Sequence, residues 1–457
     1  MTAKVSTGTS AACQTLGETQ LRKTLGMRDL ILLIVGTVIG SGIFLVPGEV
    51  LKPVGYSVPL ALTVWFAGGI LSLLGALTYG ELSTMKPEAG GLYVYIRDCF
   101  GPLPAFLFGW TLFFIISAGS VATLAVAFSN YLGEFLPLTT LAAKCISVGM
   151  IVVIGMVNVR GLRQSANLQN VTTSLKVVAI LVITIVLLSF GKDFALHPIH
   201  AVPMSNGAAA AGFGVAMISV LWAYEGWQYA TFSAGETLRP QRDFPLAFII
   251  GTVALIAIYL LVNVAYVSAL GPLRVASSHR VAASAVSQVL TPMAAKVVAL
   301  TILVSMFSAA NSIMMTAPRV YYMMARDGLF FKGLSRVHPR HGTPAFAILA
   351  AVLWTSLLAV SGTFEQLLTY VVFVGWTFYA LAAACVFVYR RREPHAKRPY
   401  RVPGYPFTPA IFIIAAVGLV INTVVEQPGR ALIGLSIVLA GTPAYFLWKR
   451  KAISMQN

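Results

Sequence analysis

The 457-residue chain is 58% hydrophobic and 10% charged, and its mean hydropathy is +0.82. Soluble domains carry roughly 25% charged residues, so this composition excludes an ordinary soluble protein. A formal net charge of +17 would suggest a nucleic-acid partner if the basic residues formed a patch, but they are distributed between long apolar runs.

Long charge-free runs alternate with short charged connections along the whole chain. A helix that crosses a bilayer needs about 20 mainly apolar residues, and each run is long enough. We therefore predict an all-α polytopic membrane protein that lies in a lipid bilayer. The predicted transmembrane helices number twelve, at 29–50, 57–83, 101–131, 143–160, 165–190, 207–234, 244–270, 284–318, 344–361, 365–389, 406–425 and 431–448.

The basic residues indicate which side of the membrane each connection faces. With the N-terminus inside, twenty-four Lys and Arg residues lie on the cytoplasmic side and seven on the opposite side. Enrichment of Lys and Arg in cytoplasmic loops is typical of membrane proteins. We expect a multi-pass protein of the cell (inner) membrane with both termini in the cytoplasm and no nucleic-acid partner.

The first span contains three glycines within seven residues near its centre, Gly36, Gly40 and Gly42. Glycines let membrane helices pack closely, and this alternative explains a single Gly-x-Gly equally well. A broken helix exposes amides and carbonyls, which a membrane protein tolerates only around a cavity. Three glycines at mid-depth favour an unwound segment at residues 40–42.

The sixth span carries a second irregular segment, in which Glu225 and Gly226 lie between Trp222 and Trp227. An acidic residue inside the membrane indicates a functional site by default. The two irregular spans are five apart, which suits two five-helix repeats of opposite topology with a site between their first helices.

This spacing predicts the domain organisation. We expect a disordered cytoplasmic tail over 1–25 and a core of two inverted repeats over 26–191 and 205–390. The eleventh and twelfth helices and a short cytoplasmic C-tail follow over 391–457.

The two breaks together predict a ligand. Free amides on Ser41, Gly42 and Ile43 would lie at the N-terminus of a half-helix, which favours an anion such as a carboxylate. Freed carbonyls near Ile39 and over 222–225 would accept hydrogen bonds from an ammonium group. A small molecule with both groups close together is an α-amino acid.

Lys176 interrupts the fifth span about 20 Å from either end, at 1.5 Å per residue. Its side chain cannot reach the membrane surface from that depth. One interpretation is a lysine that faces a wet cavity without a role. The other is that its ammonium holds freed carbonyls of the first span together with a hydroxyl of the eighth, which offers Ser305, Ser308 and Ser312 on one face. There it would either replace a sodium ion or titrate and couple transport to protons.

Three segments resemble motifs of a known family. Residues 36–44 (Gly-Thr-Val-Ile-Gly-Ser-Gly-Ile-Phe) resemble the first-helix motif of the amino acid–polyamine–organocation superfamily. Residues 222–227 with 235–247, and residues 318–328, resemble its L-type amino acid transporter branch. The resemblance covers residues 20–390.

The resemblance implies the leucine-transporter fold, with broken helices 1 and 6, and transport of small neutral amino acids by alternating access. Sodium-independent exchange is the commonest mode in this branch. A proton-coupled symporter and a transporter of cationic amino acids or polyamines remain alternatives.

The resemblance also assigns roles to residues at matching positions. Ser41, Gly42 and Ile43 would bind the substrate carboxylate, and carbonyls around both breaks would receive the amine. Trp222 would close over the substrate, and Lys176 would occupy an ion site beside the Gly36 carbonyl. The predicted substrate-binding residues are Ile39, Gly40, Ser41, Gly42, Ile43, Trp222, Ala223 and Glu225, and the predicted ion-site residues are Lys176, Gly36 and Ser308.

Two departures from the animal members of the branch affect the expected partners and substrates. Animal members are linked to a heavy-chain glycoprotein through a cysteine between spans three and four, whereas residues 131–142 contain no cysteine and Cys145 falls in the predicted fourth helix. We therefore expect a bacterial-type member without that subunit. Glu225 replaces a small residue, and a structural role, proton binding and preference for cationic side chains all remain open.

Two other protein classes fit the sequence less well. An ion channel also places glycine-rich backbone at mid-membrane, but no short pore-loop motif stands out. A membrane enzyme would need clustered His, Cys or carboxylate residues, and the histidines lie in or near loops. We predict no enzymatic activity, no catalytic residue, no metal and no cofactor.

Overall fold

The computed structural model describes residues 21–133, 135–191, 205–278, 280–361, 364–426 and 428–454, and these residues are mostly helical. The helices are Met27–Val38, Gly42–Leu45, Pro47–Leu51, Val58–Met85, Leu92–Phe100, Pro102–Thr111, Ser117–Leu132, Thr140–Arg160, Leu162–Phe190, Asn206–Ala223, Pro240–Leu270, Pro272–Ser277, Val281–Val289, Pro292–Thr316, Pro318–Arg326, Ala345–Ser361, Phe364–Arg392, Phe407–Glu426 and Pro428–Ser454. A π-helical turn covers Leu112–Ile116, and 3₁₀ helices cover Trp227–Glu236 and Lys332–Ser335.

Among the described residues, 10 helical segments are long and apolar enough to cross a membrane. They are Met27–Leu45, Val58–Met85, Pro102–Leu132, Thr140–Arg160, Leu162–Phe190, Gly207–Glu236, Pro240–Leu270, Lys296–Arg326, Phe407–Val425 and Ala431–Arg450. The ninth and tenth predicted spans correspond to the 17-residue helix Ala345–Ser361 and the 29-residue helix Phe364–Arg392. The all-helical, multi-pass character is confirmed, and the count of twelve spans stays a prediction.

The eighth predicted helix, over 284–318, is two helices in the structure. Val281–Val289 ends before the membrane-spanning helix that begins at Pro292. Proline pushes the preceding residue out of the helical region, and Thr291 is extended, with φ −138° and ψ 158°. The uninterrupted helix was therefore a wrong prediction, because Pro292 serves as a first helical residue rather than an interior one.

The predicted disordered tail over 1–25 is also too long. Residues 1–20 lie outside the described residues, but the amides of Thr24 and Leu25 donate to the carbonyl of Glu236 at 2.9 and 3.1 Å. Leu25 further pairs with Thr237 as an isolated parallel bridge. The chain that leads into the first span is therefore attached to the end of the sixth.

Two buried carboxylates join elements that are distant in sequence. Arg319 makes a two-point ion pair with Glu236, at 2.6 and 3.1 Å, and the two side chains are 1% and 0% exposed. Glu81, at the end of the second span, accepts from Arg390 at 2.9 and 2.6 Å. Such pairs fix the relative positions of the helices more than they add to net stability, because the cost of desolvating the charges offsets much of their attraction.

Removing one partner of the Glu236–Arg319 pair leaves the other charge buried and uncompensated. Arg319→Leu is expected to destabilise the protein by about 3–5 kcal/mol. The apparent midpoint of thermal unfolding in detergent, with the exposed Arg242→Leu as the matched control, measures this effect. Equal midpoints for the two variants would show that the pair does not hold these elements together.

Candidate functional site

The first span is broken where its glycines predicted. Its opening helix ends at Val38, and helical structure resumes at Gly42. Ile39 has a non-helical backbone, with φ −73° and ψ 86°. Because an α-helix bonds each amide to the carbonyl four residues earlier, the break frees carbonyls just before it and amides just after it.

The sixth span is broken at Tyr224–Gly226. The helix Asn206–Ala223 stops there, and the chain continues as the 3₁₀ helix Trp227–Glu236. Gly226 has φ +129°, a conformation that side-chain-bearing residues rarely adopt. A Cβ at Gly226 would also lie 2.9 Å from Thr37 Cγ2, so the two breaks are in direct contact.

One tyrosine of the seventh span links the two breaks. The Tyr259 hydroxyl lies 3.1 Å from the carbonyl oxygen of Val38 and 3.0 Å from that of Ala223. A hydroxyl has one hydrogen, so it donates to one of these carbonyls at a time. Both carbonyls are the last of their half-helices, and Tyr259 therefore shields the two exposed helix ends together.

A cavity of about 80 Å³ lies between the two breaks. It is lined by Thr37, Val38, Gly40, Ser41, Gly42, Ser120, Thr123, Leu124, Trp222, Ala223, Glu225, Gly226, Tyr229, Ala309 and Ile313. Six of the predicted substrate-binding residues line it, and Ile39 and Ile43 are instead fully buried beside it.

Lys176 lies where the sequence placed it, against the first break. Its Nζ donates to the carbonyl oxygens of Gly36 at 2.7 Å and Ile39 at 2.5 Å. The residue is fully buried. The carbonyls that the break frees therefore have a side-chain amine as donor inside the membrane, where water is not available to them.

The eighth-span serine at these carbonyls is Ser305 rather than Ser308. The Ser305 hydroxyl lies 3.0 Å from the carbonyl of Ile39 and 2.8 Å from that of Gly40. Ser308 lies one helical turn away and bonds Gln169 and Thr173 instead. The three serines share one face, so the sequence alone could not select among them.

The Ile39 carbonyl accepts a hydrogen bond from Lys176, and Ser305, which has one hydroxyl hydrogen, donates either to this carbonyl or to that of Gly40. A carbonyl oxygen has two lone pairs, so both are in use while Ser305 donates to Ile39. The amine-binding role predicted for Ile39 requires Ser305 to donate to Gly40 instead.

Polar side chains extend the cavity away from the backbone breaks. The Glu225 carboxylate accepts a hydrogen bond from the Tyr379 hydroxyl at 2.8 Å. The hydroxyls of Thr123 and Tyr229 are buried and have no hydrogen-bond partner among the described residues. Buried polar atoms without partners in a cavity are positions where a polar ligand group gains a hydrogen bond.

Sequence reasoning missed the roles of Tyr259 and Tyr379. Tyr259 lies deep within the seventh span, far from the interfacial belts where tyrosine is enriched, and this depth was an available signal. Tyr379 lies similarly deep in the helix Phe364–Arg392, but its partner Glu225 is 154 residues away in the chain, and nothing in the sequence indicates that pairing.

Comparison with known proteins supports one family. Residues 25–442 match the model of a family described as amino acid permease. The match covers both breaks and every residue that lines the cavity.

Named relatives cover almost the whole chain. The human "b(0,+)-type amino acid transporter 1" is 34% identical over 94% of this chain and 88% of the relative. The mouse "Large neutral amino acids transporter small subunit 2" is 32% identical over 95% and 83%. The human "Cystine/glutamate transporter" is 32% identical over 94% and 87%. These relatives are mammalian, and they lend no support to the expected bacterial type.

Gly36 packs so closely on the fifth span that a side chain does not fit. An added Cβ would lie 2.1 Å from Gln169 Nε2 and 2.2 Å from Thr173 Oγ1, and both atoms are held by hydrogen bonds. Gly36→Ala is expected to cost about 1–3 kcal/mol through overpacking. Thermal unfolding in detergent measures it, with Gly149→Ala, whose Cβ meets nothing within 4 Å, as the control. An unchanged Gly36→Ala midpoint would contradict the close contact.

Proposed function

The chain belongs to the amino acid permease family and to its L-type branch, and on this premise we propose that it exchanges small neutral L-amino acids by alternating access. Its family and relatives are transporters of amino acids, so the chain is a transporter and not an enzyme. The cavity between the two broken helices is the observation that carries the proposal.

The proposed architecture is the leucine-transporter fold in the cell (inner) membrane. It has twelve spans, two inverted repeats over 26–191 and 205–390, and both termini in the cytoplasm. The interrupted helices at 39–41 and 224–226 support this arrangement, since paired discontinuous helices mark the binding site in transporters with inverted repeats.

The substrate carboxylate binds at the first break. Gly40, Ser41 and Gly42 line the cavity, and the chain resumes its helix from Gly42 onward. The first amides of a helix lack acceptors within that helix, so the amides of Ser41, Gly42 and Ile43 are donors suited to a carboxylate. A Cβ on Gly42 would lie 3.1 Å from Ala223 Cα, which shows how closely the two breaks approach.

The substrate amine binds at the second break. Because the Ile39 carbonyl is shared by Lys176 and Ser305, the acceptors in this conformation come from residues 222–225. Trp222 and Ala223 line the cavity, and Tyr259 contacts the Ala223 carbonyl. An ammonium group would displace Tyr259 toward Val38, its alternative acceptor.

Transport is independent of sodium because a protein cation already occupies the freed carbonyls. Lys176 donates to the carbonyls of Gly36 and Ile39, and Ser305 donates to that of Ile39 or of Gly40. A sodium ion would require oxygen ligands at this position and would meet the ammonium group as a like charge. We assign Lys176, Gly36 and Ser305 to this region, and Ser308 lies one turn away from the carbonyls.

Transport of cationic amino acids is a second candidate. Glu225 lines the cavity and accepts one hydrogen bond, from Tyr379, which leaves carboxylate lone pairs for a cationic side chain. The first candidate is favoured because every other residue that lines the cavity is uncharged.

We propose that the protein works without a disulfide-linked heavy chain. The connection over 131–142 contains no cysteine, and Cys145 lies on the helix Thr140–Arg160. The amino acid substrate and the bilayer are then its proposed partners.

The transport mode is tested with purified protein in proteoliposomes, without sodium and without a pH gradient. Uptake of labelled alanine, serine and leucine is expected only into vesicles filled with unlabelled amino acid, because an exchanger needs a counter-substrate. Empty vesicles serve as the control.

Other outcomes would replace the proposal. Uptake into empty vesicles that appears only with a proton gradient would establish a symporter. Failure of all three substrates together with exchange of lysine or arginine would establish the cationic candidate.

Lys176→Ala is expected to reduce exchange more than binding, because the lysine positions the first span rather than touching the substrate. Unpaired buried carbonyls cost about 1–3 kcal/mol, or roughly a 5- to 150-fold loss of rate. Equilibrium binding of labelled alanine should change by less than about threefold. The exposed Lys296→Ala is the control, and normal exchange by Lys176→Ala would refute this role.

A further inference from the structure

A continuous set of buried polar side chains runs between the fourth, fifth and eighth spans, outside the cavity. We call it the polar seam and define it as Asn158, Ser165, Gln169, Thr173, Ser308 and Asn311. Each member is at most 1% exposed. Buried amides inside a membrane are costly unless every polar atom is paired, so this arrangement needs a reason.

The two asparagines and the glutamine are bonded in series. Asn158 Nδ2 donates to Asn311 Oδ1 at 3.0 Å, and Asn311 Nδ2 donates to Gln169 Oε1 at 2.9 Å. Ser165 donates to Asn158 Oδ1 at 2.7 Å and lies 3.3 Å from Asn311 Oδ1. Asn158 Nδ2 also donates to the Ile154 carbonyl at 2.9 Å, and because a carbonyl only accepts, this bond fixes the orientation of the Asn158 amide and, through it, of the other two amides.

The series ends at two hydroxyls. Gln169 Nε2 donates to Thr173 Oγ1 at 2.9 Å and to Ser308 Oγ at 3.0 Å, and the two hydroxyls lie 3.2 Å apart. Every amide therefore donates in the same direction, from Asn158 toward the first span. Hydrogen bonds in such a chain polarise and strengthen one another.

The first span packs against the end of the polar seam that is formed by Gln169 and Thr173. The atoms nearest to a Cβ on Gly36 would be Gln169 Nε2 and Thr173 Oγ1, at 2.1 and 2.2 Å. Gln169, Thr173 and Lys176 follow one another at helical spacing on one face of the fifth span. The same face of the fifth span therefore packs closely against the Gly36 backbone and donates a hydrogen bond from Lys176 to the Gly36 carbonyl.

We propose that Asn311 and Gln169 are positioning residues, which hold the first half-helix, Met27–Val38, against the fifth span and so place Lys176 on the carbonyls of Gly36 and Ile39. Neither residue lines the cavity. Asn311 fixes the orientation of the Gln169 amide through its hydrogen bond, and Gly36 packs against that amide. Only the exchange readout of this inference rests on the proposed function.

The test measures how often the first span leaves this surface. A single cysteine at Ser41, in protein whose native cysteines are replaced by serine, reports exposure of the first break through its rate of maleimide labelling in detergent. Asn311→Leu, similar in volume but unable to bond Gln169, is expected to raise that rate by about fivefold or more. Asn263→Leu is the matched control, because Asn263 is a buried amide that donates to Tyr259 O within its own helix.

A second variant keeps the test decisive if Asn311→Leu does not fold. Gln169→Met removes the same bond from its other end and should accelerate labelling equally. The double variant should label no faster than either single variant, because both remove one connection. A merely structural role would lower thermal stability without this shared effect on labelling.

Several outcomes would overturn the inference. Labelling unchanged in both variants, or accelerated as much in Asn263→Leu, would show that the polar seam does not position the first span. Additive acceleration in the double variant would show two independent effects. Exchange should fall in the variants whose labelling rises. Absence of exchange in the unsubstituted protein would contradict the proposed function while leaving the labelling result valid.

Discussion

Backbone polar groups cannot be left unpaired in lipid, and this constraint governs the centre of the molecule. Breaking the first span frees the carbonyls of Gly36, Ile39 and Gly40, which then need donors that the bilayer does not supply. Lys176 and Ser305 provide them, from the fifth and eighth spans. The break is thus possible only because two other helices bring donors to it, and the cavity exists only because the break is possible.

The same constraint explains why the two breaks lie together. Tyr259 serves the last carbonyl of each broken half-helix, and Gly226 packs against Thr37 across the gap. Backbone donors and acceptors from separate spans then face one small cavity, which suits a ligand with a carboxylate and an ammonium group. Amino acid transport by this family agrees with that chemistry.

The buried ion pair of Glu236 and Arg319 and the polar seam connect different sets of helices. The ion pair joins the end of the sixth span to the helix that follows the eighth, close to where Thr24 and Leu25 attach. The polar seam joins the fourth, fifth and eighth spans into a surface for the first. Polar contacts hold these positions because apolar packing between helices in lipid has no hydrophobic driving force of its own.

The amino-acid sequence by itself determined the helical membrane class, the positions of both breaks and the depth of Lys176. Apolar run length, glycine spacing and an isolated charge are local properties, and lipid enforces their consequences. Only the tertiary structure decided the partners: Ser305 rather than Ser308, Tyr259 across both breaks, Tyr379 on Glu225, and Asn311 on Gln169. These contacts join residues far apart in sequence. They depend on the rotation and height of each helix against its neighbours, which no single span encodes.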